Sequence, residues 1–76
     1  MKKIVIEYCV VWNYYPRAAR LAEELKDSFP YAIEMEKSKG GRFEVTLDGN
    51  LIFSKAALGR FPEDGEIEKL IKENDW

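Results

Sequence analysis

The stretch that decides the fold is KIVIEYCVVWNYYPRAARLAEEL, residues 3–25. Its first six residues, 3–8, are mostly apolar and rich in β-branched side chains, which predicts a strand. Continuous apolar character favours a central strand that is covered on both faces. After a loop, Pro16 stands where proline fits best, at the first position of a helix. The apolar face of that predicted helix consists of Ala18, Leu21, Ala22, Leu25 and Phe29.

Beyond this stretch, the pattern predicts three more strands and a second helix. The remaining predicted strands are 31–37, 42–47 and 51–54. The first two alternate apolar and polar residues, as strands with one solvated face do. Asp48-Gly49 is a strong hairpin signal, so the last two strands are expected to pair antiparallel. A connection with glycine and proline as breakers follows, and apolar residues at helical spacing then predict a helix over about 63–73.

The predicted order of elements is β-α-β-β-β-α. A β-α-β unit makes its two strands parallel through a right-handed crossover, and the hairpin adds an antiparallel pair. We therefore expect an α/β protein with a four-stranded mixed sheet and two helices. With 76 residues, the chain is expected to form a single domain, 1–76, with a small core.

Composition narrows the classes of function. Hydrophobic residues make up 46% and charged residues 34%, and the net charge of −2 leaves no basic footprint for nucleic-acid binding. No apolar run approaches the roughly 20 residues of a membrane span, and the N-terminus lacks a signal-peptide cleavage site. One cysteine and no histidine exclude an internal disulfide and a Cys–His nucleophile pair. We expect a cytoplasmic protein with no metal, no bound cofactor, no nucleic-acid partner and no membrane partner.

The candidate site lies at the carboxyl edge of the predicted sheet. Cys9 follows the first strand, and in open α/β sheets this edge is where sites form. The second strand ends at the same edge, the third begins there, and the fourth returns to it. The candidate site is therefore Cys9 with Trp12, and its rim consists of Tyr8, Val10, Val11, Asn13, Tyr14, Lys39, Gly40, Gly41, Ser54 and Lys55.

Two segments, IEYC--W-Y-PRA--LAEEL---FP from residue 6 and GGRFEVTLDGNLIFSK---GRFP--GEI from residue 40, resemble the selenoprotein W, T and H group, the Rdx-type thioredoxin-like proteins. The resemblance covers nearly the whole chain. It implies a small thioredoxin-like fold with a Cys-x-x-Cys or Cys-x-x-selenocysteine loop after the first strand. It also implies thiol redox chemistry, which in some members is linked to glutathione.

The chain departs from the family pattern at the second redox position. The family's first thiol corresponds to Cys9 and its second to Trp12, which can neither form nor resolve a disulfide. The two-sulfur cycle therefore cannot run within this chain. The resemblance then implies one-thiol chemistry, in which Cys9 attacks and an external thiol resolves the product. That thiol would come from glutathione as co-substrate or from a thiol-containing protein.

Other interpretations of the same residues stay open. Cys9 could be a buried small apolar residue, although a position in a loop argues against this. Without a second thiol, the chain could be a redox-inactive interaction module that binds a protein through its aromatic rim. Trp12 itself could reflect natural divergence, an indole that stacks beside a bound thiol or peptide, or a misread selenocysteine codon. The last would need one base change, from UGA to the tryptophan codon UGG.

Overall fold

A β-α-β unit begins the chain, and a β-hairpin and two helices complete it. The structure is a computed structural model that describes residues 2–74. The described helices and strands are β1 Lys3–Cys9, α1 Tyr15–Ser28, β2 Ala32–Ser38, β3 Phe43–Leu47, β4 Asn50–Ser54, α2 Lys55–Leu58 and α3 Glu66–Asn74. None of these helices is long and apolar enough to cross a membrane.

The strands form one mixed sheet in the order β2-β1-β3-β4. The first strand pairs parallel with β2 and antiparallel with β3, and β3 pairs antiparallel with β4. The predicted central position of the first strand is therefore confirmed. Asp48 and Gly49 have φ angles of +50° and +84°, the two positive values that a tight hairpin turn of this kind requires.

The hydrophobic core lies on one face of the sheet only. Ile4 and Ile6 are fully buried and belong to a cluster that includes buried residues of α1 and α3. Val5 and Glu7 point the other way and are only partly buried. The expectation that the first strand is covered on both faces is wrong. Both long helices pack on the side of Ile4 and Ile6. We call the opposite side of the sheet the open face.

The helices follow the predicted apolar faces but differ in their ends and number. Helix α1 buries Ala18, Leu21, Ala22 and Leu25, as predicted. Helix α3 begins at Glu66, three residues later than predicted, because Gly65 has φ +78° and cannot continue a helix. The connection after β4 contains α2, a helix that the sequence did not predict. Its first turn is capped by Ser54, whose Oγ accepts the Ala57 N–H at 3.2 Å.

Candidate functional site

Cys9 is the last residue of β1, and its side chain is buried. Its N–H donates to the Arg42 carbonyl oxygen at 2.8 Å, and it lies opposite Ser38 of β2. The side chain is 0% exposed, yet it lies outside the main hydrophobic cluster. The sequence argument that a loop position weighs against burial of Cys9 is wrong. The strand extends one residue further than expected, and the following loop folds back over the sulfur.

That loop, residues 10–14, is a tight turn built on the cysteine. The Tyr14 N–H donates to the Cys9 carbonyl oxygen at 3.1 Å, and the Asn13 N–H donates to the Val10 carbonyl oxygen at 3.0 Å. The Trp12 N–H points at the sulfur itself, with an N···Sγ distance of 3.4 Å. The turn therefore holds a polar group in position beside the sulfur.

The indole of Trp12 lies against the backbone of the turn that connects β2 and β3. A Cβ atom built on Gly41 would approach Cζ3 of the Trp12 ring to 2.5 Å, whereas one on Gly40 would meet nothing within 4 Å. Gly41 is buried, and Trp12 is 60% exposed. Because Gly41 immediately precedes the residue that hydrogen-bonds the Cys9 backbone, the indole lies over the same corner of the sheet as the thiol. The absence of a side chain at Gly41 is therefore what allows the indole to pack there.

A chain of aromatic rings runs inward from Trp12. Its ring centroid is 6.2 Å from that of Tyr14, Tyr14 is 4.8 Å from Phe61, and Phe61 is 5.4 Å from Phe43. All three contacts are edge-to-face, a favourable geometry for aromatic pairs. The chain joins an exposed ring at the rim to a fully buried ring in the core. Tyr8 lies beside Tyr15 at 5.8 Å, so not every rim aromatic belongs to this chain.

The lysines at this edge of the sheet are Lys37, Lys39 and Lys55. The Lys55 ammonium lies over the rings of Tyr14 and Phe61, at 5.7 and 5.2 Å from their centroids. Lys39 is exposed on the turn after β2, and Lys37 is exposed near the end of that strand. The Arg17 guanidinium lies 4.1 Å from the Phe61 centroid. Lys55 and Arg17 at this edge therefore interact with aromatic rings.

Ser54 shares the predicted sheet edge but lies two strands away from Cys9. Its hydroxyl donates to Glu44 Oε2 at 2.8 Å and caps the short helix that follows. Since neighbouring strands are about 4.8 Å apart, β4 lies roughly 10 Å from β1. Ser54 therefore lies at the same edge of the sheet as Cys9, as the strand topology predicts, but its role there is structural. Val10 and Val11 are exposed on the loop, beside the indole.

An ion pair fixes the segment that carries Phe61. Arg60 Nη1 and Nη2 bind the two carboxylate oxygens of Glu66 at 2.7 and 2.9 Å, and the Glu63 N–H donates to the same carboxylate at 2.9 Å. The hydrogen bonds from Arg60 and from the Glu63 backbone lower the pKa of Glu66 from its ordinary 4.5 to about 2. Arg60 and Phe61 lie in the segment that the sequence analysis treats only as a connection between the last strand and the last helix. Sequence reasoning therefore missed both residues.

A groove of about 390 Å³ lies between α1 and the segment 61–68. Leu21, Phe43 and Ile67 contribute apolar walls, while Arg17 and Glu63 line its opposite sides. Cys9 and Trp12 do not line it. In residues 2–74, no group of three or more cysteine, aspartate or glutamate side chains has an arrangement that could hold a metal ion.

A four-stranded mixed sheet with helices on one face and a cysteine at the carboxyl end of its first strand defines a thioredoxin-like α/β protein. A sequence model of the Rdx family matches residues 3–73, and the chain belongs to that family. The crystal structure of a selenoprotein W-related protein from Vibrio cholerae superposes with a TM-score of 0.86 at 30% identity, covering 95% of this chain and 94% of that chain. A crystal structure of a Bordetella parapertussis protein gives a TM-score of 0.91 at 25% identity, covering 96% of each chain.

Curated relatives lead to the same family. Selenoprotein W of Gallus gallus is 31% identical over 74 residues, which cover 91% of this chain and 87% of that protein. Migration and invasion enhancer 1 of Bos taurus is 35% identical over 72 residues, which cover 92% of this chain. The chain spans 62% of that relative's length. Both relatives match nearly the whole of this chain.

Proposed function

We propose that this chain is a thiol redox protein that works through Cys9 alone, in a reducing compartment such as the cytoplasm. The observation that carries the proposal is the Trp12 N–H aimed at the Cys9 sulfur, 3.4 Å away, within the loop where the family has its redox motif. This contact fixes the position of the sulfur, whose thiolate is the nucleophile in disulfide exchange.

The proposed reaction uses glutathione as the external thiol. The Cys9 thiolate attacks one sulfur of oxidised glutathione, a Cys9–glutathione disulfide forms, and one glutathione leaves as its thiolate. A second glutathione thiolate then attacks the glutathione sulfur of that mixed disulfide, which releases Cys9 and re-forms oxidised glutathione. With a protein–glutathione mixed disulfide in place of oxidised glutathione, Cys9 attacks the glutathione sulfur and the protein leaves as its thiolate. The second step then forms oxidised glutathione and frees Cys9, so the protein substrate is reduced and glutathione is oxidised.

The burial of Cys9 requires the loop to open before reaction. The loop residues Val10, Val11 and Trp12 are exposed, although backbone N–H groups of Val10, Asn13 and Tyr14 hold the turn. Exposed segments with few buried apolar contacts open locally at less than the global free energy of unfolding. Moving the indole off Gly41 uncovers the corner of the sheet where the thiol lies. We propose that Trp12 is a natural residue that controls access to the thiol, so that codon 12 of the gene is UGG.

Mass spectrometry of the folded protein after incubation with oxidised glutathione at neutral pH tests the proposal. We expect one glutathione per chain in the wild type and none in Cys9→Ser. Reduced glutathione should then remove the adduct and restore the original mass. A native protein that forms no adduct would contradict the proposed chemistry.

A redox-inactive interaction module is the second candidate, and the burial of the thiol favours it. Cys9 is 0% exposed, while Val11 and Trp12 beside it are 81% and 60% exposed. An exposed apolar loop over a buried cysteine is also what a protein-binding surface would display. Pull-down of a cellular partner with wild type, Cys9→Ser and Trp12→Ala separates the two. The module predicts that partner capture survives Cys9→Ser and fails with Trp12→Ala, whereas the redox protein predicts loss with Cys9→Ser.

A further inference from the structure

The open face of the sheet carries an unusual arrangement of charge beside the cysteine. Glu7 of β1 lies directly opposite Glu36 of β2 on one side and opposite Glu44 of β3 on the other. These three residues form what we call the acidic row. Like charges in directly opposite positions destabilise a sheet, so the row does not serve the fold itself.

Nearby groups neutralise or hydrogen-bond only some of the carboxylates in the acidic row. Arg42 lies 3.4 Å from Glu7 Oε2, and the Ser38 hydroxyl donates to the same oxygen at 2.6 Å. The Ser54 hydroxyl donates to Glu44 at 2.8 Å. The open face of residues 2–74 carries two cations against four carboxylates. The charged residues of this face are Lys3, Glu7, Glu34, Glu36, Arg42 and Glu44.

An apolar row lies directly beside the acidic row. Val5 of β1 is opposite Thr46 of β3, and Thr46 is opposite Leu51 of β4. We call these three residues the apolar row. Leu51 is 57% exposed, so the row offers accessible apolar surface. An apolar strip with a charged strip beside it is the composition of a protein-binding surface.

Cys9 belongs to the same face. Side chains alternate along a strand, so the residue two after Glu7 is directed to the open face, and it lies opposite Ser38, which itself contacts Glu7. Two residues along a strand span roughly 7 Å, so the thiol lies about that distance from the acidic row. A segment seated on the two rows would reach the sulfur without crossing the helices once the loop 10–14 has opened.

We propose that the open face docks a basic, cysteine-containing segment of another protein and presents its sulfur to Cys9. Lysine or arginine side chains of the segment pair with Glu36, Glu7 and Glu44, and its apolar side chains lie on the apolar row. The charge of the face selects for this occupant, because an acidic segment would add like charges to the row. The proposal rests on the proposed thiol chemistry of Cys9 and specifies its protein substrate.

The chemical test uses two short peptides that differ only in charge. Each contains one cysteine between valines, flanked by three lysines in one peptide and three glutamates in the other, and carries 5-thio-2-nitrobenzoate on the cysteine as a mixed disulfide. The Cys9 thiolate attacks the peptide sulfur, a Cys9–peptide disulfide forms, and the coloured thionitrobenzoate anion leaves. We expect the lysine peptide to react on the order of tenfold faster at low salt, with the preference shrinking as salt rises.

Two triple variants, each of which removes three negative charges, test whether the preference depends on the open face. In the variant Glu7→Gln, Glu36→Gln, Glu44→Gln the preference for the lysine peptide should disappear, and removal of mutually repelling charges should not unfold the sheet. The control, Glu23→Gln, Asp27→Asn, Glu73→Gln, removes the same number of charges from exposed positions in α1 and α3. It should keep the preference. Equal rates for the two peptides with the wild type, or equal loss of preference in both variants, would overturn the proposal.

A binding measurement separates docking from thiol chemistry. The Cys9→Ser protein is titrated with a lysine peptide in which serine replaces cysteine, and backbone amide shifts are followed by NMR. We expect the largest shifts along the strands of the open face and none of comparable size for the glutamate peptide. If the shifts appear but Cys9 of the wild type does not react with a small neutral disulfide, docking stands and the redox function fails. Shifts confined to the helices would overturn docking.

Discussion

Trp12 and Gly41 are complementary, because the indole occupies the space that any side chain at position 41 would need. A Cβ on Gly41 would lie 2.5 Å from Cζ3 and 2.9 Å from Cε3 of the ring. Gly41 also has φ +71°, a backbone conformation that only glycine adopts without strain. The two residues are far apart in sequence and meet at the corner where Cys9 is buried. Changes at either residue are therefore expected to alter access to the thiol.

Gly41→Ala should displace the indole and speed the reaction of Cys9 with small disulfides. The steric clash with the ring adds to the strain of the positive φ, so the free energy of unfolding should fall by more than about 1 kcal/mol. Tryptophan fluorescence and the rate of thiol modification measure the two effects.

Gly40→Ala is the matched control. Gly40 has φ +70°, nearly the same strain, but open space around its Cβ position. It should lose stability to a smaller extent and leave both the fluorescence and the thiol reactivity of the wild type. Equal changes in the two variants would show that backbone strain alone is responsible and that the indole does not cover the thiol.

Trp12→Cys should restore a two-sulfur site. The backbone N of residue 12 lies 3.4 Å from the Cys9 sulfur, so a side-chain sulfur at this position starts close to it. Oxidation should then give an intramolecular disulfide, seen as a mass lower by two hydrogen atoms, and a glutathione adduct on Cys9 should be released without added thiol. The control is Trp12→Ser, because serine has a similar size to cysteine but no thiol. This variant should keep the glutathione adduct on Cys9. A variant that stays fully reduced would show that the loop cannot hold the family geometry.

The Arg60–Glu66 ion pair predicts a loss of stability in acid. The folded-state pKa of Glu66 is lowered from 4.5 to about 2, chiefly by the hydrogen bond from Arg60. A lowered folded-state pKa means that the stabilisation is present above about pH 4.5 and is lost as the pH falls towards 2. Urea unfolding of wild type and Glu66→Gln should therefore show a lower midpoint for the variant at pH 7 and converging midpoints near pH 2 to 3.

Glu73→Gln, at an exposed position of the same helix, is the control for general charge effects. Its difference from the wild type should be small at every pH. If Glu66→Gln behaves in the same way, the ion pair does not stabilise the segment that positions Phe61.

Neighbouring residues of β1 should differ sharply in their importance for stability. Ile6 is fully buried beneath the helices, whereas Val5 lies on the open face. Ile6→Ala should lower the free energy of unfolding by about 2–5 kcal/mol, the range for large-to-small changes in a core. Val5→Ala should cost well under half as much. Similar losses in urea denaturation would mean that the open face is covered in solution.

Local sequence patterns predict most of the fold. Alternation in 42–47 and the Asp48-Gly49 turn place the hairpin, and the apolar face of α1 follows from helical spacing. The shared edge of Cys9 and Gly41 also follows, because topology alone decides which strand ends meet. The sequence does not predict the short helix α2. It is only four residues long and buries none of them, so it has no apolar repeat that indicates a helix.

The environment of Cys9 could not be read from the sequence in the same way. Burial of the thiol depends on where the loop folds back, and the packing of Trp12 on Gly41 is a contact between distant residues. The role of Phe61 likewise depends on an ion pair between Arg60 and Glu66, formed across a segment without secondary structure. The sequence analysis also did not predict that the long helices cover only one face of the sheet. The apolar run of β1 resembles that of a strand buried on both faces.

The reaction of native Cys9 with oxidised glutathione is the measurement that tests the account most directly. Adduct formation is followed by mass spectrometry at neutral pH for the folded wild type, for Trp12→Ala and for the wild type unfolded in urea. The account predicts that the folded wild type forms a single adduct on Cys9 that reduced glutathione reverses, and that Trp12→Ala forms it faster. An adduct that forms only in the unfolded protein would contradict it, because Cys9 would then be a structural residue of the fold.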